Sequence, residues 1–139
     1  MYEPKKPLQE FALITKAKDL VKHTDLMTSE KRYPKKYRFS LVNRLQDKCL
    51  EIFECIVDAN ELSITDIEES AERLRLQRRA LTLCKTVLFL IEYSFEKNLI
   101  GAPQCETWTK KVCDVKNMTA SWYKTDKSRK QPRTNTTTT

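Results

Sequence analysis

Lysines and arginines are grouped in this chain, and grouped cations suit one chemistry above others, the holding of phosphate. Lys31, Arg32, Lys35, Lys36 and Arg38 surround Tyr33 and Tyr37 in the segment KRYPKKYRFSLVNRL. Phosphates prefer Lys and Arg, while unpaired bases stack on aromatic faces. Arg73, Arg75, Arg78 and Arg79 place guanidiniums within about two helical turns. Arginine at that density suits bidentate phosphate contacts. Lys124, Lys127, Arg129 and Lys130 form a third group. The plainer alternative for each group is a solvated helix surface, with the tyrosines covering the end of a bundle. Cations at a helix start oppose the helix dipole slightly, and that local cost favours a functional reason for Lys35 and Lys36. These three groups are the expected nucleic-acid contacts.

Other chemistries are poorly supplied. The chain has one Gly, so a glycine-rich phosphate loop of the G-x-G-x-x-G or P-loop kind cannot form. It has one His, His23, which excludes a two-His metal site and leaves no Ser/His or Cys/His constellation to propose beyond it. A carboxylate-bridged di-metal site inside a bundle normally needs Glu-x-x-His on two helices. The cysteines, Cys49, Cys55, Cys84, Cys105 and Cys113, are odd in number and contain no C-x-x-C pair. They read as reduced thiols, with Cys49 and Cys84 on apolar helix faces. No catalytic residue, metal or cofactor is expected, and the chain is read as a non-enzyme.

The cations must be positioned by helices, because turn formers are scarce and Leu, Lys and Glu are common. Length, 139 residues, suits one domain with a genuine core. Leu8, Phe11, Ile14, Ala17, Val21, Thr24 and Met27 follow the spacing of one helix face. Pro34 suits the first turn of a second helix running to about Leu62. Its stripe is Phe39, Val42, Leu45, Cys49, Ile52, Phe53, Ile56 and Asn60. Ser63 and Thr65 are candidate N-caps for a third helix, and Thr65 with Glu68 fits a capping box. The face of that helix reads Ile67, Ala71, Leu74, Leu81, Cys84, Leu88, Ile91 and Phe95, with a second row at Leu76, Ala80, Leu83, Val87 and Leu90. Such a helix is buried on more than one side, centrally or at a subunit interface. Gly101 falls where a C′ residue of positive φ is wanted. A fourth helix opens at Pro103, presents Trp108, Val112, Val115, Met118 and Trp122, and ends near Tyr123.

Short connections then predict an all-α, up-down-up-down four-helix bundle over residues 8–123, oligomeric through its apolar third helix. Residues 1–7 are expected to be loose, and 124–139 to be a basic, largely disordered tail. No apolar run approaches the roughly 18 residues of a membrane span. No signal peptide is evident, so a cytoplasmic, membrane-free protein is expected.

The formal net charge of +7 hides a segregation. Residues 31–48 carry +6, residues 51–72 carry −8 with no base, residues 73–85 carry +5, and the stretch from Lys124 onward carries +4. Glu51, Glu54, Asp58 and Glu61 share one face of the second helix beside its core stripe. Two readings stay open for that face. It pairs with cations of the third helix, with Glu54 level with Arg73, or it meets a basic patch of another subunit or partner.

The segment RYPKKYRFSLVNRLQDKCLEIFECIVDAN resembles a family of four-helix-bundle proteins. That family includes the accessory variability determinant of diversity-generating retroelements, with a related branch encoded by intervening sequences in bacterial large-subunit ribosomal RNA genes. The shared features are an aromatic-Pro-Lys, an Arg-Phe-x-Leu, a long amphipathic second helix ending at Ala-Asn, and the aromatic Trp122 near the end of the last helix. The resemblance spans roughly residues 11–123. It implies a basic, pentameric bundle that associates with the element's reverse transcriptase and its template RNA or cDNA and supports mutagenic reverse transcription without catalysing it. A bundle of the ribosomal-RNA branch, or one that binds only proteins, is the alternative.

Overall fold

The computed structural model describes residues 8–130, with side chains from 12 to 129. It is all-helical, with no strand among the described residues. Helix α1 spans Leu8–Met27, α2 Asn43–Glu61, α3 Ile67–Glu96 and α4 Ala102–Lys130. A 3₁₀ turn over Lys35–Tyr37 and a π turn over Arg38–Val42 lead into α2. Helix α1 packs on α2 and α4, α2 on α3, and α3 on α4.

One apolar core lies between the four helices. Leu13 and Leu20 of α1, Leu45, Ile52 and Ile56 of α2, Leu83, Val87 and Ile91 of α3, and Trp108, Val112 and Val115 of α4 are all essentially inaccessible. Trp108 is the largest of them, and its indole N–H donates to the Thr24 hydroxyl at 3.0 Å. That bond satisfies a donor that burial would otherwise leave costly. The same hydroxyl lies 3.2 Å from the Cys49 sulfur, so α1, α2 and α4 meet at one buried polar point.

Several local expectations are corrected. The second helix does not run evenly from Pro34. The Asn43 N–H reaches back to the Arg38 carbonyl, closing an i→i+5 turn with one residue more than an α turn. The apolar phase slips at this turn, so Phe39 points to solvent at 79 % exposure while Leu41 and Val42 are buried. The cap of α3 is Asp66, not Thr65. The Glu69 N–H donates to Asp66 Oδ2 at 2.9 Å, and Glu69 Oε1 accepts from the Ser63 N–H. A charged carboxylate suits a helix N-terminus better than the neighbouring hydroxyl does. The left-handed residue after α3 is Asn98 at φ 62°, and Gly101 has no positive φ. Asn tolerates that conformation. Gly101 instead starts α4, its carbonyl accepting from the Cys105 N–H at 2.9 Å.

The buried side of α3 joins Ala80, Leu83, Val87 and Leu90 of the second predicted row to Cys84 and Ile91 of the first, and it continues toward the N-terminus in the polar Ser70, Arg73 and Gln77. Ile67 and Ala71 of the first row are exposed. Arg73 is only 5 % exposed. Its Nε donates to Asp126 Oδ2 at 2.6 Å and its Nη1 to the Leu62 carbonyl at 2.9 Å, while its guanidinium lies 5.0 Å from the Trp122 ring centroid. Gln77 Nε2 donates to the same Asp126 oxygen at 2.8 Å. Asp126 holds α4 against α3 beyond Tyr123, so the helix does not stop there as predicted. It runs to Lys130, which makes residues 124–130 of the expected tail helical. The remainder of that tail, 131–139, and the expected loose start, 1–7, lie outside the described residues.

Removing one member of a buried ion pair leaves the other charge uncompensated. Asp126→Ala should therefore lower the unfolding free energy in urea by about 3–5 kcal/mol. Combining it with Arg73→Met should recover most of the loss.

Candidate nucleic-acid interface

The three predicted cation groups fall into two surfaces. Lys31, Arg32, Lys35, Lys36 and Arg38 occupy the corner between α1 and α2. All are exposed except Arg32, which is half-buried. None of Lys31, Lys35, Lys36 and Arg38 has a carboxylate partner among the described residues. Lys35 and Arg38 line a hollow of about 630 Å³ together with Asp25, Ser29 and Gln46. The aromatic partners differ from those expected. Tyr33 is buried, and burial pushes its phenol above the ordinary value, offset in part by the Ser94 hydroxyl and by Arg32. Tyr37 is half-buried beneath Lys36, whose Nζ lies 5.2 Å from its ring centroid. Phe39 is the ring that faces solvent.

The second surface joins two groups that are far apart in sequence. Because α4 continues past Tyr123, it carries Lys127 alongside Arg75, Arg78 and Arg79 of α3. These side chains and Tyr123 line a groove of about 570 Å³ floored by Leu74. Lys127 Nζ lies 5.8 Å from the Tyr123 ring centroid, and Lys124 is exposed on the adjoining turn. Arg78, Lys124 and Lys127 have no carboxylate partner among the described residues. Arg75 and Arg79 do. Arg75 Nε donates to Glu72 Oε1 at 2.8 Å, and that guanidinium holds the Glu72 carboxyl below its ordinary value. Arg79 Nε donates to Glu51 Oε2 at 3.1 Å. Both pairs are exposed and screened by solvent, so each yields readily to a phosphate.

Arg73 does not belong to either surface. It was grouped with its neighbours by charge, yet its guanidinium is committed inside the protein as described above. Arg129 is partly committed, with Nη1 3.6 Å from Asp126 Oδ1. Lys130 closes α4, and its side chain is outside the described set. The expected pairing between α2 and α3 exists but is shifted. Glu51 meets Arg79, whereas Glu54 and Asp58 face solvent.

Sixteen residues separate Arg78 from Ser94, which neighbours Tyr33. At 1.5 Å per residue the two basic surfaces lie roughly 25 Å apart along α3. What both can do is electrostatic. Cations without partners, set beside aromatic rings, attract and orient a polyanion by releasing its counterions. The interior holds no ready nucleophile in Cys49, Cys55 or Cys84. Burial pushes these thiols up to about 11, about 11 and about 12, so they stay protonated at neutral pH. All the cysteines are free. Among the described residues, no group of three or more His, Cys, Asp or Glu could hold a metal ion, and no helix is long and apolar enough to cross a membrane.

No protein family, curated protein or solved structure matches this chain.

Two outcomes follow from the titrating groups. Ellman's reagent at pH 8 should modify Cys105 and Cys113 quickly, because they are only half-buried, and should reach the other three thiols only after unfolding in guanidinium. Burial, then Lys111, holds His23 below its ordinary 6.5 against the opposing pull of Asp19. The unfolded chain thus takes up this proton more readily than the folded one, and folding loses stability as pH falls through about 6.5. His23→Gln should narrow the difference in urea midpoint between about pH 7.5 and 5.5.

Proposed function

We propose that this protein is a non-catalytic helical scaffold that binds nucleic acid, acting as an accessory factor of a diversity-generating retroelement. In this reading it holds template RNA or cDNA beside the element's reverse transcriptase during mutagenic copying. The observation that carries it is the α3–α4 groove, where Arg78 and Lys127 stand beside Tyr123 without carboxylate partners and Lys124 is exposed on the adjoining turn. The retroelement and its enzyme come from the resemblance of the 32–60 segment, and the polyanion from the charge.

The same reading includes an up-down-up-down bundle. Cross-helix pairs support it, because their numbers run in opposite senses. Thr28 meets Gln46 while Thr24 meets Cys49, Arg73 meets Leu62 while Arg79 meets Glu51, and Trp108 meets Thr24 while Lys111 meets Asp19. It also includes assembly, a pentamer by resemblance, in the cytoplasm. Phe89 and Tyr93 support assembly. Their rings stack at 5.9 Å on the outer side of α3, and Phe89 is more than half exposed. The solvent-facing Glu54 and Asp58 favour a second reading, a bundle whose partners are basic proteins.

A charge-reversed variant separates the two readings. Arg75→Glu, Arg78→Glu and Arg79→Glu together should weaken binding to a structured RNA at least tenfold at moderate salt. The slope of log affinity against log salt should fall by roughly 2–3, the amount expected for three lost phosphate contacts. Anisotropy of a labelled RNA measures both, with circular dichroism as the check on folding. Unchanged affinity would remove the groove as the contact, and copurification with basic proteins alone would favour the second reading.

A further inference from the structure

We infer that Phe39 is a stacking platform for an unpaired base, and that the α1–α2 corner takes a single-stranded segment of nucleic acid. The inference rests on the nucleic-acid reading above and narrows it to one strand state at a surface separate from the α3–α4 groove.

The exposure of Phe39 is built by the backbone. In a continuous α-helix from Pro34, Phe39 would share a face with Val42 and Leu45. The π turn over Arg38–Val42 breaks that phase. It buries Leu41 and Val42 and turns the Phe39 ring outward. Single π turns within helices occur frequently at functional sites. Cations flank the ring in sequence. Arg38 precedes it directly, and Lys35 and Lys36 stand one turn earlier, all without carboxylate partners among the described residues.

The adjoining hollow supplies hydrogen-bonding groups. Ser29 and Gln46 line it with Lys35 and Arg38, while the Thr28 hydroxyl there is taken by the Thr24 carbonyl and the Gln46 amide N–H, and its size of about 630 Å³ is within the range that accepts a small ligand. Asp25 and Glu30 also line it. These exposed carboxylates repel phosphate and accept from base N–H groups, so phosphates are directed toward Lys35 and Arg38 and base edges toward Asp25 and Glu30.

The strand state follows from geometry. Inside a duplex both faces of every base are covered by neighbours, so a lone protruding ring finds nothing to stack on except at an end. An unpaired base offers its face freely. A bilayer surface would also attract the cations, but one ring is a small apolar anchor compared with the apolar face of a helix that lies on a membrane.

The test compares wild type, Phe39→Ala and Phe39→Trp. Each is titrated against a fluorescein-labelled single-stranded 12-mer RNA and against the same sequence as a blunt duplex, at one salt concentration. Stacking is worth about 1–3 kcal/mol per base, which converts to about a 5- to 150-fold change in affinity. Phe39→Ala should lose that much on the single strand and less than about twofold on the duplex. Phe39→Trp should restore single-strand binding, with its added emission quenched by the strand. If wild type binds the single strand and Phe39→Ala matches it, or loses equally on the duplex, the inference is overturned while the proposed function stands. If wild type binds neither RNA, both are overturned. Phe39-dependent sedimentation with phosphatidylserine vesicles, alongside RNA binding indifferent to Phe39, would overturn it in favour of a membrane surface.

Discussion

A guanidinium in the interior must be paired from every side, and the Arg73 side chain organises a whole end of this protein by that requirement. Its donors meet a carboxylate from α4 and carbonyls at the end of α2, and its flat face lies against an indole. These groups come from two stretches of sequence, 59–62 and 122–126, each far along the chain from the other. The chain must bring the end of α2, the first turns of α3 and the last turns of α4 together, or leave a desolvated charge bare. Gln77 extends the arrangement inward by sharing the same carboxylate oxygen. The length of α4 is a consequence. A helix that ended at the last apolar residue of its stripe would not deliver Asp126.

The functional surface depends on this arrangement. The turns of α4 that place Asp126 inside place Lys124 and Lys127 outside, next to the exposed arginines of α3. A charge buried for folding and charges presented to solvent are thus set by one helix in one register. The acidic side of α2 contributes locally, with Glu51 meeting Arg79, while Glu54 and Asp58 of that face are exposed. The strong charge segregation along the chain therefore survives in three dimensions as separate basic ends and an acidic flank.

Much of the fold was legible in the sequence because apolar spacing is a strong signal where it is uninterrupted. Leu45 to Ile56 in α2 and Trp108 to Trp122 in α4 follow their predicted stripes. Phe39 was misplaced because an extra backbone residue shifts phase, and periodicity carried through such a turn assigns the wrong face. Thr65 lost to its neighbour Asp66, since adjacent residues of similar aptitude compete for a single cap position, and Asn98 took the left-handed turn three residues before Gly101, which begins the next helix. Arg73 was misread because charge outweighed position. A signal existed: following the buried row backward from Val87 through Leu83, Ala80 and Gln77 arrives at Arg73. Of the candidate site, the cation groups were legible individually. Their sorting into two ends was not, because it depends on how far α4 continues.

The π turn before α2 has a consequence for how this chain can change. It holds its shape by containing one residue more than a regular helical turn. Loss of any single residue between Pro34 and Asn43 would let the backbone close as ordinary α-helix, rotating everything upstream by about 100° against α2. The aromatic ring at position 39 would swing toward the interior, and Tyr33 would leave its seat beside Ser94. In this stretch the number of residues is therefore constrained as tightly as their kind, and insertions or deletions should be rarer among related chains than substitutions.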